Sequence, residues 1–404
     1  MPKKIFKSII FSTLAFLLIW PGRISLAQDL SLRLSGYILL QAESHGEAWY
    51  VNPLDLRRYY LGKPADALNL MRQFGLGVNN SNFNNLNRVP NKKLSGRILI
   101  KTEDFGKAYY VYPKNLKLYY LGSPDDAFNL MSQLGVGVTN LDLQKIPINF
   151  TNATSLFNQM EVDIQNLVNQ ERIKNGLPAL KWNSEVASVS RIHSNDQANE
   201  TTPLINNSKI CSFPFIHHEG MTFGLYQNNR LNNSGIYYFG SSGENIALIP
   251  QIKDAEYQSF SNLPAPDCQA QLKELNDDYE VAVQALQEDA QKIALLKAEI
   301  VKRQQLTEQM QTINLLNITY NDISEIEKAA VTGWMNSPGH RKNILNPDYN
   351  EAGMGIALVK NYFIITQDFI KRVDCGYKKG TCCQKPGYYP YCYVPMNCTQ
   401  NVCQ

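Results

Sequence analysis

The chain has 404 residues, 44% of them hydrophobic, with 39 Lys and Arg against 36 Asp and Glu for a net charge of +3. That length exceeds one ordinary core and predicts two to three domains. With only 19% charged residues and a basic excess of just three, the electrostatic footprint of a nucleic-acid binder is absent.

The opening "MPKKIFKSIIFSTLAFLLIWPGRISLA" has a lysine-rich start, an apolar stretch and a small-residue exit at Ser25-Leu26-Ala27. It predicts a signal peptide over 1–27. A retained membrane anchor is the rival reading, and Pro21-Gly22 speaks against it by breaking the apolar run too early for a comfortable bilayer span. No cysteine follows the cut to carry a lipid, and no membrane span is expected once the signal is removed.

Ser35–Asn80 then returns as Ser95–Asn140 at a constant offset of 60 positions, a sequence repeat. In each copy a β-rich run (Tyr37–Leu40; Ile98–Lys101) turns at a glycine (Gly46; Gly106). An aromatic strand, "AWYV" or "AYYV", leads to "RYYLG" or "LYYLG". A short helix follows, with proline in its first turn and glycine at its end. Two β-hairpin-plus-helix repeats are predicted, 28–90 and 91–148. Tyr59, Tyr60, Tyr119 and Tyr120 would suit stacking on a cell-wall glycan. The plainer reading puts one tyrosine of each pair into the module's own core, since strand neighbours face opposite ways. Asp66 and Asp126 fit helix-start chemistry.

The next domain is predicted over 149–373. "SLFNQMEVDIQNLVNQERIKNG" reads as an amphipathic helix ended by Gly176, with Leu156, Met160, Ile164 and Leu167 on one stripe. A second helix carries His193, read as a surface or boundary residue. "SGIYYFGSSGENIALI" contains a strand, and "EAGMGIALVKNYFIITQDF" is a hairpin turning at Lys360-Asn361. The order implies an α+β layered domain. Within it, about 266–322, lies an insert: Gln269 to Thr332 holds neither glycine nor proline. Leu272, Leu275, Tyr279, Ala282, Leu286, Ile293, Leu296 and Ile300 follow heptad steps interrupted at Asp289. A hairpin of two antiparallel helices in a monomer is expected, and a coiled coil with a second copy, giving a dimer, is the alternative.

None of the eight cysteines precedes Cys211. An even number in an exported chain implies disulfides. Cys211 and Cys268 are expected to pair at the base of the insert. Cys375, Cys382, Cys383, Cys392, Cys398 and Cys403 crowd into 374–404, a disulfide-rich tail whose pairing the sequence does not choose.

The strings "FPFIHHEGMTFG", "GENIAL" and "GWMNSPGHRKNILNPDYNEAGMGIAL", preceded by "RIKNGLPALKW", resemble the bacterial branch of the CAP superfamily (cysteine-rich secretory, antigen 5 and pathogenesis-related 1 proteins). The resemblance covers about 150–373 less the insert. It implies an α-β-α sandwich with a cleft lined by two histidines and two acidic residues. It places His218 as the first histidine, with His217 as the alternate, Glu244 as the first acid and His340 as the second histidine. Ser337 stands where complete members carry a glutamate three residues after the tryptophan, which puts an intact acid/base tetrad in doubt. Two neutral imidazoles on separate loops make a divalent-metal pair, zinc above all. Glu244 could orient one of them or hold a water as a general base. Alternatively, Glu244 and the histidines only pin the loops against the sheet. Ser-Pro-Gly is expected to end a helix so that His340 leaves its axis, with Trp334 anchored in the core and Arg341 in a structural ion pair.

No nucleophile elbow, phosphate loop, dinucleotide fingerprint or HExxH helix is present. The favoured function is an exported bacterial, non-enzymatic extracellular binding protein, located in the medium or at the cell surface. Its cleft would hold a divalent metal or, as the resemblance implies, a small lipid- or sterol-like ligand. Two functions compete with it. One is a metal-assisted hydrolase of peptide or cell-wall substrates using His218, Glu244 and His340. The other is a surface adhesion protein using repeats, insert and tail.

Overall fold

The computed structural model describes residues 26–43, 46–88, 91–151, 153–260, 263–375, 378, 380–383 and 397–404. Most of the expected signal peptide, and Cys392, lie outside these residues.

After helix α1 (Leu26–Arg33), the first repeat forms β1 (Ile38–Gln41), β2 (Ala48–Val51), β3 (Arg58–Tyr60), α2 (Pro64–Gln73), β4 (Gly75–Val78) and α3 (Asn80–Arg88). The second forms β5 (Ile98–Lys101), β6 (Ala108–Val111), β7 (Leu118–Tyr120), α4 (Pro124–Leu134), β8 (Val136–Val138) and α5 (Asn140–Leu143). The repeats are not self-contained. Strand β4 leaves the first repeat and pairs in parallel with β5, while β8 pairs in parallel with β1. The two sheets are therefore β3-β2-β1-β8 and β4-β5-β6-β7.

The glycines expected as helix stops serve this exchange instead. Gly135 has φ −61°, so no left-handed turn requires it. What both positions need is room. A Cβ at Gly75 would lie 2.1 Å from Ile100 Cδ1, and one at Gly135 would lie 2.7 Å from Leu40 Cδ1. Gly36 and Gly96 touch where the repeats cross: a Cβ on Gly36 would be 2.4 Å from Gly96 Cα. Tyr50 Oη donates to the Gly96 carbonyl and Tyr110 Oη to that of Gly36, each at 2.7 Å. Ile38, Tyr50 and Met71 share one core with Ile98, Tyr110 and Met131. Of the four tyrosines named above, Tyr59 is buried, Tyr60 and Tyr119 are half-buried and Tyr120 is exposed.

Leu39, Trp49 and Val51, on the other face of the first sheet, belong to the core of the central domain. That domain contains α6 (Thr154–Lys174), β9 (Lys181–Trp182), α7 (Ser184–Thr201), α8 (Gln227–Asn233), β10 (Phe239–Pro250) and β11 (Ile252–Ser259). It continues through α9 (Cys268–Gln284), α10 (Asp289–Gln309), β12 (Ile313–Tyr320), α11 (Ile323–Asn336), α12 (Pro338–Ile344), β13 (Glu351–Val359) and β14 (Tyr362–Arg372). Its sheet has the order β10-β14-β13-β9. Helix α7 covers one face and α6 with α11 the other, an α-β-α sandwich. Leu156, Met160 and Ile164 of α6 bury against Phe363, Ile365 and Trp334, with Val168 rather than Leu167 completing the stripe. Gly353 and Gly355 let α7 lie directly on β13: a Cβ at either would sit 2.1 Å from the helix backbone, at Ala187 N and Arg191 N.

The insert is a hairpin, α9 then α10, but its seam is not closed on itself. Tyr279, Val283 and Leu296 pack on Leu204 and Phe215, and Leu275 packs on Cys211 and Phe213. The stretch without glycine or proline also holds a strand, β12, paired with β11 in a two-stranded ribbon. Its residues "INLLNITY" are rich in β-formers, so the helical reading of the insert overran. Cys211 is bonded to Cys268. In the tail Cys375 is bonded to Cys383 and Cys382 to Cys398, and Cys403 is also in a disulfide. Strands β15 (Cys398–Thr399) and β16 (Val402–Cys403) pair there.

Candidate functional site

The "GENIA" segment lies on β10 and the "SPGHRKNIL" segment on α12, and polar side chains from both motifs clamp the two elements together. Asn343 Nδ2 donates to the Glu244 carbonyl and to Asn245 Oδ1, both at 3.0 Å. Asn245 Nδ2 donates to the His340 carbonyl at 3.2 Å. Trp334, buried at the end of α11, donates its indole N–H to the Ile246 carbonyl at 2.8 Å. Arg172 of the "RIKNG" string is fully buried and donates to the carbonyls of Ile344, Asn346 and Tyr349, fixing the end of α12. Ser-Pro-Gly does stop α11, but Ser337 also opens α12 with Pro338 at its first position. His340 therefore sits in a new helix, not on a free loop. Among the described residues Arg341 is exposed and has no ion pair, contrary to expectation.

Around Glu244 the expected cleft residues converge. His218 Nδ1 meets Glu244 Oε1 at 2.9 Å, and the rings of His218 and His340 stand 6.0 Å apart at 51°. Of the two neighbouring histidines, His218 is the one that faces Glu244 and His340, with 44% of its side chain exposed. His217 faces away and is buried: one ring nitrogen donates to the Glu219 carbonyl at 2.6 Å and the other meets the Glu200 carboxylate at 2.8 Å. Ser337 is held through its backbone, and no side-chain bond from it to the histidines is found among the described residues.

Two residues that the sequence reading missed complete the cluster. His193, expected near the surface, is fully buried on α7 and lies 3.8 Å from Glu244 Oε1, donating to the His217 carbonyl at 3.2 Å. Its position on the stripe of Val186, Ser190 and Gln197, all buried, was legible as helical periodicity. Arg230, fully buried on α8, donates to Glu244 Oε2 at 2.5 Å. Nothing in the Asn-rich "QNNRLNN" announced it.

Electrostatics follow from this packing. Burial alone would raise the Glu244 carboxyl, but His193, the Arg230 guanidinium and the His218 hydrogen bond hold it well below the usual carboxylate range. Burial works against protonating His218, yet the bond to Glu244 and its charge raise that imidazole overall. Burial and His218 lower His340 to about 4. Asp368, directly opposite Glu244 on β14, is pushed up to about 8 by burial and by Glu244. It accepts from Ser190 Oγ at 2.8 Å.

The insert forms the wall behind the "HHEG" loop. Tyr279 packs edge-on against Phe215 and donates to Glu219 at 3.2 Å. Arg303, fully buried, stacks on Phe215 and donates to Glu299 at 2.8 Å.

A model of the family described as "CAP: Cysteine-rich secretory protein family" matches residues 165–247 and 268–369, the span that carries this cluster. The central domain is a CAP domain. A 56-residue stretch of the chain is 50% identical to a protein described as "Uncharacterized membrane protein YlbC" from Bacillus subtilis, covering 14% of each chain. The chain thus spans only a small part of that relative's length. An extracellular SCP-domain protein from Bacillus anthracis is 17% identical, with 92% of this chain and all of the other covered at a TM-score of 0.30. A cysteine-rich secretory protein from Staphylococcus aureus is 13% identical over 70% of this chain and 62% of its own, with a TM-score of 0.27. Superpositions this loose carry no argument, and the CAP assignment rests on the family model and the motif residues. Among the described residues no helix is long and apolar enough to cross a membrane, and no three His, Cys, Asp or Glu side chains converge as metal ligands.

Proposed function

We propose that the protein is an exported, non-enzymatic binding protein whose CAP cleft captures a ligand through the paired imidazoles of His218 and His340. Export is supported by the signal-like start, by the disulfides, which belong to oxidising compartments, and by the secretory character of the family. The observation that carries the binding reading is the state of Glu244. Both its oxygens are committed, one to His218 and one to Arg230. A carboxylate so paired, held well below its usual range, is a poor general base, whose value should lie near the working pH. What it does well is fix the ring of His218 so that Nε2 points outward, the carboxylate–histidine arrangement that prepares an imidazole to bind.

The donor set does not fit a resident metal cofactor. Two imidazoles supply half of the four positions a structural zinc takes, and Glu244 is not free to add a third. An exchangeable divalent ion, its shell completed by the bound molecule or by water, is the form these residues suit.

Zinc titration calorimetry of the full chain tests this. His218→Ala and His340→Ala should weaken binding most, Glu244→Gln less, and His217→Ala or Ser337→Ala least. Binding should weaken as pH falls and protons compete for the rings. Equal zinc affinity in wild type and the His218/His340 double variant would overturn the reading. Peptide or cell-wall hydrolysis that disappears in Glu244→Gln would return the hydrolase in its place.

A further inference from the structure

Between the repeat unit and the CAP domain lies a cavity of about 540 Å³, lined on one side by Glu43, Glu47 and Tyr60 and on the other by Asp163 and Glu327. Tyr60, Glu47 and Asp163 also line a neighbouring cavity of about 620 Å³, whose far wall is apolar, with Leu40, Phe128 and Met131. Neither cavity includes His218, Glu244 or His340.

Glu327 sets this place apart from an ordinary acidic surface. It is only 7% exposed, yet it lines the cavity, and no hydrogen bond or ion pair reaches its carboxylate among the described residues. Its neighbours are better served: Asp163 accepts from Gln159 Nε2 at 3.0 Å, and Glu43 accepts from the Asn140 N–H at 2.8 Å. With no protein partner among the described residues, the Glu327 carboxyl opens into the cavity, and a carboxylate in so enclosed a place is costly to ionise without a counter-charge. Burial first, then Asp163, Glu47 and Asp322, push it up to about 9 against the opposing charge of Lys328. That shift favours the protonated carboxyl near neutral pH.

The geometry also selects the kind of cation. A bare divalent ion needs oxygens converging at roughly 2.3–2.6 Å, and no three carboxylates here do so. Carboxylates spaced around a tyrosine ring suit a larger head with several donors, and an ammonium offers three. Tyr60 packs edge-on against Trp49, whose face is already covered by Arg58. Tyr60 is therefore the ring left to meet the cation, and it stands between the acidic cavity and the apolar one.

We propose that this interdomain cavity binds a primary ammonium group on an aliphatic stem, as a lysine side chain presents it. Glu327 and Asp163 receive the head, and Tyr60 with the Phe128 wall receives the stem. Binding ionises Glu327, so a proton leaves as the amine enters.

Calorimetry of the full chain at pH 7, in two buffers of different ionisation enthalpy, reads affinity and proton release together. The probes are 1,5-diaminopentane and a pentapeptide with one lysine, free or acetylated. Both amines should bind, or the peptide alone if the natural source is a protein lysine, with proton release approaching one per ligand. Acetylation should abolish the peptide signal. Glu327→Gln should lose about 10-fold or more in affinity, the scale of one charge-assisted hydrogen bond, and lose the proton release. Asp163→Asn should lose affinity but keep the release, which secures the test if the first variant misfolds. Silence from both amines, or unchanged affinity and release in the variants, would sink the proposal. Calcium binding with silent amines would replace the ammonium by a metal.

Discussion

Glu327→Gln and Glu244→Gln place the same amide in two buried carboxylate sites, and the structure predicts opposite effects. For Glu327 the folded carboxyl is pushed up from 4.5 to about 9. Below pH 4.5 both the folded and unfolded forms are protonated, and the residue costs nothing. As pH rises from there, the unfolded chain ionises first, so wild-type stability drains away until the folded carboxyl ionises as well. Each unit is worth about 1.4 kcal/mol, so by pH 7 the cost reaches roughly 3 kcal/mol. Glutamine does not titrate. The Glu327→Gln variant should therefore be the more stable one at pH 7 by up to that amount, with no gain at pH 4. For Glu244 the folded value lies below the usual range, so its contribution is present at neutral pH and is lost only in acid. Glu244→Gln strands the buried Arg230 guanidinium, and breaking such a pair costs about 3–5 kcal/mol. Urea unfolding at pH 4, 7 and 8.5 measures both. Trp49 in the repeats and Trp334 in the CAP domain belong to one core, so their fluorescence should report a single transition. Glu327→Gln at or below wild-type stability at pH 7 would refute the account of that residue. Glu244→Gln above wild type would refute the other.

Replacing Cys211 and Cys268 by serine opens a loop of sequence separation 57; about 4 kcal/mol should be lost, measurable by thermal unfolding. Gly36→Ala forces a side chain into a position with φ 81° and against the Gly96 backbone, so the repeat unit should unfold ahead of the rest in hydrogen exchange. Gly353→Ala should push α7 off β13 at a cost of about 1–3 kcal/mol, read from the urea midpoint. Tyr279→Ala should loosen the "HHEG" loop and weaken zinc binding at His218 although it touches neither imidazole, and unchanged affinity would show that the insert does not position the site.

The parts of this molecule that could be read in advance were those written in local pattern. The stripe of Leu156, Met160 and Ile164 marked α6, and the turn at Lys360, with φ 52°, joined two apolar runs into a hairpin. The motif strings located His218, Glu244 and His340 because each lies in a distinctive local context. What stayed hidden depends on contacts distant in sequence. Arg230 matters only because α8 folds against β10. His193 sits on a stripe of α7 that helical periodicity marks as buried, but its approach to Glu244 exists only once the sheet packs there. The destination of "GLGV" and "GVGV" could not be seen either, since a short parallel strand carries no mark of its partner, and both glycine roles, stop and close approach, look alike in a sequence.

The exchange of β4 and β8 has a consequence for how such a chain can be built. Each copy supplies three strands of its own sheet and needs the fourth from a neighbour, in register with β1 or β5. A single copy would leave that edge bare and its glycine-led strand without a berth, an open template for pairing with another chain. The tandem arrangement is thus equivalent to a two-fold homodimer whose protomers have been joined end to end. Trimming the chain to one copy should yield a pair of molecules rather than a smaller monomer, and lengthening it by a third would strand one strand-bearing tail with nowhere to dock.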